Sequence, residues 1–143
     1  MRPRVRRYVL ALLLLAGAAL VHPPTASACE CVEHSVAGAK KLSRAVFVGT
    51  VLEVDEDDVA RLAVKKLWKG DNVPEFRVDI AHGLCSAGME AGKTYLVYAY
   101  WDEDRHRLST DHCIRTRPVA ETDDPRKLGR PKVIRSVRDI NND

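Results

Sequence analysis

Ala45-Val-Phe-Val-Gly-Thr-Val-Leu-Glu-Val54 is the stretch on which the fold turns. It is rich in β-branched residues, continuously apolar at first and alternating only towards its end, as a central strand would be. Gly49 inside it marks a bulge or sharp bend, the device by which one strand serves two sides of a closing barrel. Downstream, the acidic cluster at residues 55–58 predicts a hairpin turn, and residues 59–68 return with Leu62, Val64 and Leu67 among basic residues. Lys69, Gly70, Asp71 and Asn72 close that strand. Phe76, Val78 and Ile80 alternate with Arg77 and Asp79, giving a third strand with one wet face. A loop of small residues carrying Cys85 follows. Residues 94–100 form a fourth strand, and a charged turn at 102–107 leads to a fifth at 108–115 that includes Cys113.

Helical signals are confined to the ends of this series. Residues 33–44, rich in Ala, Lys and Ser, predict a short helix or turn. Residues 122–129 resemble a capped helical turn, with Pro125 near its start and Gly129 at its stop. Val133, Val137 and Ile140 fall at helical spacing and predict one more short helix. Five short strands with helices only at the ends point to an all-β domain, best matched by the five-stranded Greek-key barrel of the OB-fold.

The first 28 residues are set apart by composition. Arg2, Arg4, Arg6 and Arg7 form a charged head, and residues 8–21 are an apolar run too short to span a bilayer as a stable helix. A polar spacer leads to Ala26, Ser27 and Ala28, the small-x-small pattern of a signal peptidase site. Residues 1–28 are therefore expected to be a signal peptide, leaving residues 29–143 as one domain beginning at Cys29. Secretion or delivery to a periplasm is the expected fate, with no membrane association after cleavage. The competing reading, a lipid-modified Cys29, is disfavoured because Ala26 stands where a lipoprotein box carries Leu and a Pro-containing spacer separates the site from the apolar run.

Four of the 23 basic residues and none of the 20 acidic ones lie in the leader, so residues 29–143 are about neutral. A neutral domain lacks the basic surface that neutralises phosphates, and nucleic acid is not an expected partner. Cys29, Cys31, Cys85 and Cys113 are an even set in an exported chain, which signals a disulfide framework. Cys29 and Cys31 are too close to bridge each other easily. Two pairings remain, Cys29 with Cys85 and Cys31 with Cys113, or the crossed arrangement. A Cys-x-Cys pair can also ligate a soft metal, but no His or further Cys sits beside it at ligand spacing, so no resident metal or cofactor is expected.

An enzyme is not indicated. His34, His82, His106 and His112 show no paired metal spacing, no Gly-x-Ser-x-Gly occurs, and Asp111 beside His112 should point to the opposite strand face. Trp68, Tyr95, Tyr98, Tyr100 and Trp101 offer a conceivable stacking platform, though core packing and ordinary surface aromatics are the expected roles.

Taken together, Cys29-Glu-Cys-Val32, the strand from Ala45 to Val51, Trp68-Lys-Gly70, the isolated Cys85, Gly92-Lys-Thr-Tyr-Leu-Val-Tyr98 and Leu108-Ser-Thr-x-x-Cys113 carry a resemblance. The chain resembles the amino-terminal domain of the tissue inhibitors of metalloproteinases and, more broadly, the netrin-like module and its bacterial relatives. The resemblance implies an OB-fold and selects the Cys29 to Cys85 and Cys31 to Cys113 pairing. It further implies inhibition of a zinc metalloprotease, with the α-amine and carbonyl of Cys29 chelating the protease's zinc and Glu30, Cys31 and Val32 contacting the enzyme. Glu30 departs from the small or uncharged residue that the familiar inhibitors carry there, and the third disulfide of their inhibitory domain is missing. The alternative implied by the same resemblance is a non-inhibitory protein-binding or structural module.

Overall fold

The computed structural model describes residues 29–135; the expected signal peptide, Val137, Ile140 and residues 141–143 lie outside them. The chain begins with an irregular segment and a seven-residue helix, α1 (Val36–Leu42), opened by Ser35, whose Oγ accepts the Gly38 N–H at 3.0 Å. This is the usual N-cap arrangement, in which a hydroxyl satisfies an amide that has no partner within the helix.

Strand β1 (Ala45–Val54) follows, with β2 (Val59–Lys69), β3 (Glu75–Asp79), β4 (Thr94–Asp102) and β5 (Arg107–Ser109). The strands are bonded in the order β1, β2, β3, β5, β4, and β1 also pairs with β4, which closes a five-stranded Greek-key barrel of the OB type. β3 and β5 meet in parallel at Asp79 and Ser109; the other barrel pairs are antiparallel. Two short strands, β6 (Arg117–Pro118) on β4 and β7 (Lys132–Val133) on β2, extend the sheet. A four-residue helix, α2 (Asp124–Lys127), stands between them with Pro125 in its first turn; Gly129 beyond it has φ +82°.

The double pairing of β1 explains its unusual apolarity. Ala45, Phe47 and Val51 point into the barrel interior with Leu62, Val78, Tyr95 and Val97. Val46 and Val48 face the other way and pack in a second cluster with Ala39 of α1, Leu96, Tyr98, Ile114 and Leu128. Phe47 stacks at a tilt on Phe76, with ring centroids 4.7 Å apart. Gly49 lies where the β1–β2 register shifts, and a Cβ there would come within 3.1 Å of both the Ala63 carbonyl oxygen and the Phe47 ring. The bulge and the lack of a side chain are thus both required for the strand to bend inward.

Two expected elements differ. The strand expected at 108–115 ends at Ser109, because Asp111 turns the chain: its Oδ1 accepts the N–H groups of Cys113 (2.8 Å) and Ile114 (3.0 Å). Arg115 then adopts φ +78°. Thr110 and Thr116 flank the turn and bind the Tyr98 peptide from both sides, Thr110 Oγ1 donating to its carbonyl at 2.8 Å and Thr116 Oγ1 accepting its N–H at 2.9 Å. Val133, expected at helical spacing, lies instead in β7 against Lys66, where an open edge of β2 accepts a short strand.

A buried ion pair ties the outer layer together. Arg115 grips Asp124 through two hydrogen bonds of 2.7 and 2.6 Å, and Tyr98 Oη donates to the same carboxylate at 3.0 Å. Arg115 also donates to the His34 carbonyl at 2.9 Å, so the N-terminal segment, the turn, β4 and α2 share one anchor. Burial pushes the Asp124 carboxyl up, but its hydrogen bonds from Arg115 and Tyr98 and the Arg115 charge outweigh this and hold it below the ordinary value. Stability from a carboxyl lowered in the folded state is present above the unfolded value of about 4 and is lost as pH falls through the folded one.

Replacing Asp124 with Asn is expected to cost about 2–3 kcal/mol at neutral pH in urea unfolding with the disulfides intact. The difference from the parent should shrink on acidification below about pH 4. Gly49→Ala should destabilise by about 1–3 kcal/mol in the same assay, since the backbone carbonyl of Ala63 cannot retreat without loosening β2.

Candidate functional site

The site is assembled from three irregular segments, the stretch before α1 and the loops that follow β3 and β5. Residues 29–35 have no regular structure. The loop after β3 forms a single 3-10 turn, Gly83–Cys85, and the loop after β5 carries the Asp111 turn with His112 and Cys113. The His112 N–H donates to the Cys85 carbonyl at 3.3 Å and brings the second and third segments together.

Disulfides join the first segment to both. Cys29 is bonded to Cys85 and Cys31 to Cys113, with Cα separations of 5.4 and 5.1 Å. Of the two pairings that the sequence left open, this is the one that the resemblance selected. On a chain-entropy model each loop closure stabilises a fold by roughly 4 kcal/mol, and since these loops overlap the pair contributes less than the sum. The two disulfides and the Arg115 bond to the His34 carbonyl tie residues 29–34 to the barrel, while the side chains along it stay in solvent. Glu30, Cys31, Val32 and Glu33 are exposed, Val32 to 71%, and Cys29 is half-buried.

The bridges lie against each other. Cys29 Sγ is 3.7 Å from Cys113 Sγ, and His112 Nε2 is 3.3 Å from Cys31 Sγ and 3.8 Å from Cys113 Sγ. The ligand atoms of Cys29, Cys31, His112 and Cys113 all fall within 4.8 Å of one another. Spacing along the chain hid this group, since the two ligand pairs, Cys-x-Cys and His-Cys, are some eighty residues apart and meet only through the fold. The one clue was that any bridge between Cys31 and Cys113 must bring His112 close to the Cys-x-Cys pair. Arg115, which anchors His34, was also missed, because its role depends on a positive φ in a stretch read as a strand.

Other candidates resolve simply. Asp111 and His112 form no dyad: Asp111 is committed to its turn and accepts the Tyr100 hydroxyl at 3.2 Å, while the His112 ring lies on the sulfurs. Burial, then the Asp111 charge and hydrogen bond, push the Tyr100 phenol up to about 12, so it stays a neutral donor. His82 pairs with Asp58 at 2.5 Å on an exposed loop. Among the aromatics, Tyr95 and Tyr98 are core residues, and the Trp68 indole N–H donates to the Gly129 carbonyl at 2.8 Å. Trp101, 45% exposed, lines a cavity of about 450 Å³ with Arg44, Phe76 and Leu108, to which residues 29–32 contribute nothing. The core-packing reading of Tyr95 and Tyr98 therefore holds.

Among the described residues no helix is long and apolar enough to cross a membrane. No family model and no curated protein sequence matches this chain.

Proposed function

We propose that the chain is exported, is cut before Cys29, and inhibits zinc metalloproteases with its new amino terminus, as a single-domain relative of the tissue inhibitors of metalloproteinases and the netrin-like modules. The observation that carries this reading is the clamping of an exposed segment by two disulfides: Cys29 and Cys31 are both bonded to the barrel while the side chains of residues 30–33 face solvent. A disulfide framework of this kind also suits an oxidising, extracytoplasmic setting.

The chemistry follows from cleavage. A freed Cys29 offers an α-amine with a reference pKa near 8, neutral in an accessible fraction at physiological pH, and its own carbonyl oxygen closes a five-membered ring on a metal. A catalytic zinc keeps one coordination position for water or substrate, and a chelating terminus displaces that water. Because the bridges fix the segment beforehand, little chain entropy is lost on docking. Cys29 acts through its backbone, its sulfur serving as the clamp, while Glu30, Cys31 and Val32 lie against the protease.

Glu30 favours a second reading. Its carboxylate would enter the substrate pocket of the protease, a mostly apolar space near an acidic general base, at a cost of several kcal/mol unless a cation meets it. A non-inhibitory module that binds another extracellular protein through the same exposed segment has no such difficulty. The inhibitor reading therefore requires a target with a basic pocket, or inhibition weakened by this residue.

Titration of a panel of zinc proteases separates the two. The processed protein should inhibit at least one, and a form with one additional alanine before Cys29 should inhibit none; equal inhibition by both defeats the chelation mechanism. Against a target with an apolar pocket, Glu30→Thr should strengthen inhibition by about tenfold or more, equivalent to at least 1.4 kcal/mol of relieved desolvation. Intact mass gives the starting point directly, and an acylated or extended Cys29 is incompatible with the proposal.

A further inference from the structure

We infer that the open end of the barrel is a saccharide-binding site, in which the Trp101 indole stacks on one pyranose ring of a neutral oligosaccharide while Arg44, Asp71 and Glu103 hold its hydroxyls. The inference does not rest on protease inhibition. β3 and β5 run parallel, and the site is lined by Phe76 and Leu108 near their starts. The clamped segment is bonded instead to Cys85 and Cys113, in the loops that follow their ends.

The barrel is left unplugged at this end because its inward row of side chains runs past the last closed layer. Side chains alternate along a strand, so Tyr95, Val97, Ala99 and Trp101 of β4 share one face. The first three are buried in the interior cluster, while Trp101, next in the row, is 45% exposed. Its cross-strand neighbour on β5 is Leu108, and Ala99 is paired with Ala45 at the start of β1. Ala45 is too small to fill the space beside Trp101. Gly70, at φ +110°, adds no bulk either, since a Cβ there would come within 3.0 Å of the Ala45 Cβ. What remains is a cavity of about 450 Å³, with buried Phe76 and Ala45 at its base and Trp101 and Leu108 at its side. That volume suits a small ligand.

Three charged side chains, Arg44, Asp71 and Glu103, complete the lining. All are exposed, and none makes a side-chain hydrogen bond or ion pair among the described residues. Their mixed signs select the ligand. An anion meets two carboxylates and a cation meets the guanidinium. A sugar hydroxyl, carrying no charge, donates to a carboxylate and accepts from a guanidinium equally well. The aromatic part makes the same choice, because the negative face of the indole attracts the weakly positive C–H groups that a pyranose presents on one side. Phosphate-bearing ligands, nucleic acid included, are disfavoured by Asp71 and Glu103.

The test titrates the processed protein with cellotetraose, maltotetraose, chitotetraose and mannotetraose, read by indole fluorescence and by saturation-transfer NMR of the sugar protons. At least one should bind with a dissociation constant of about 1 mM or tighter and shield Trp101 from iodide quenching. Trp101→Ala should weaken that binding by about tenfold or more, whereas Trp101→Phe, which keeps a stacking face, should stay within about threefold. Asp71→Asn and Glu103→Gln retain an accepting oxygen and should each cost less than about fivefold, while Asp71→Ala combined with Glu103→Ala should cost about tenfold. Choline and inorganic phosphate should not bind. Circular dichroism checks each variant, and the alanine pair, at exposed positions, keeps the test intact should Trp101→Ala unfold. Failure of all four sugars to bind overturns the proposal, as does a Trp101→Ala variant that is folded and binds like the parent. Choline binding that is lost in Asp71→Asn and Glu103→Gln also overturns it, and identifies a cation site. Saturating sugar should leave inhibition of a zinc protease unchanged, so the failure of either reading leaves the other standing.

Discussion

Strand β1 has to bond on both edges and bury on both faces at once, and most of the molecule is arranged around that requirement. Its pairing with β2 and with β4 closes the barrel, so the residues it turns inward are sealed among side chains from every other long strand. Its outward residues would be left wet by a bare barrel. They are covered instead by α1, by Ile114 and by Leu128, and this is why the described segments before β1 and after β5 fold over one side of the barrel. Gly49 is the point at which the two demands conflict: the backbone there lies so close to Phe47 and Ala63 that a Cβ would come within 3.1 Å of both and force its neighbours to give.

The covering layer has little area, and polar groups supply what burial does not. Arg115 and Asp124 meet in a bidentate pair beneath Tyr98; the carboxylate is fully buried and costly to desolvate, and that cost is offset by two hydrogen bonds from Arg115 and one from Tyr98. The third Arg115 nitrogen extends the network to the His34 carbonyl. Fixing His34 limits the excursions of the five residues before it, so the buried pair and the two disulfides constrain the same short segment from its two ends. The surface that is offered to solvent at residues 30–33 is therefore tethered to the barrel from both sides without being packed against it.

Much of the barrel was legible in the sequence, and the misses share one cause. β-branched or aromatic runs in β1 and β4, alternation in β3, and the turn residues between the strands located β1 through β4 to within a residue or two. The turn at 111–115 was read as strand since its residues are compatible with one; what decides it is Asp111, whose carboxylate caps the Cys113 and Ile114 N–H groups while accepting the Tyr100 hydroxyl from β4. Val133 carried a helical period, yet an unpaired stretch of β2 offers two ladder positions that a short helix could not satisfy. The site was half legible: an even set of cysteines gave the framework, while the approach of His112 to the sulfurs required the fold. Local pattern is informative where an element makes its own pairing, and silent where a side chain from elsewhere chooses for it.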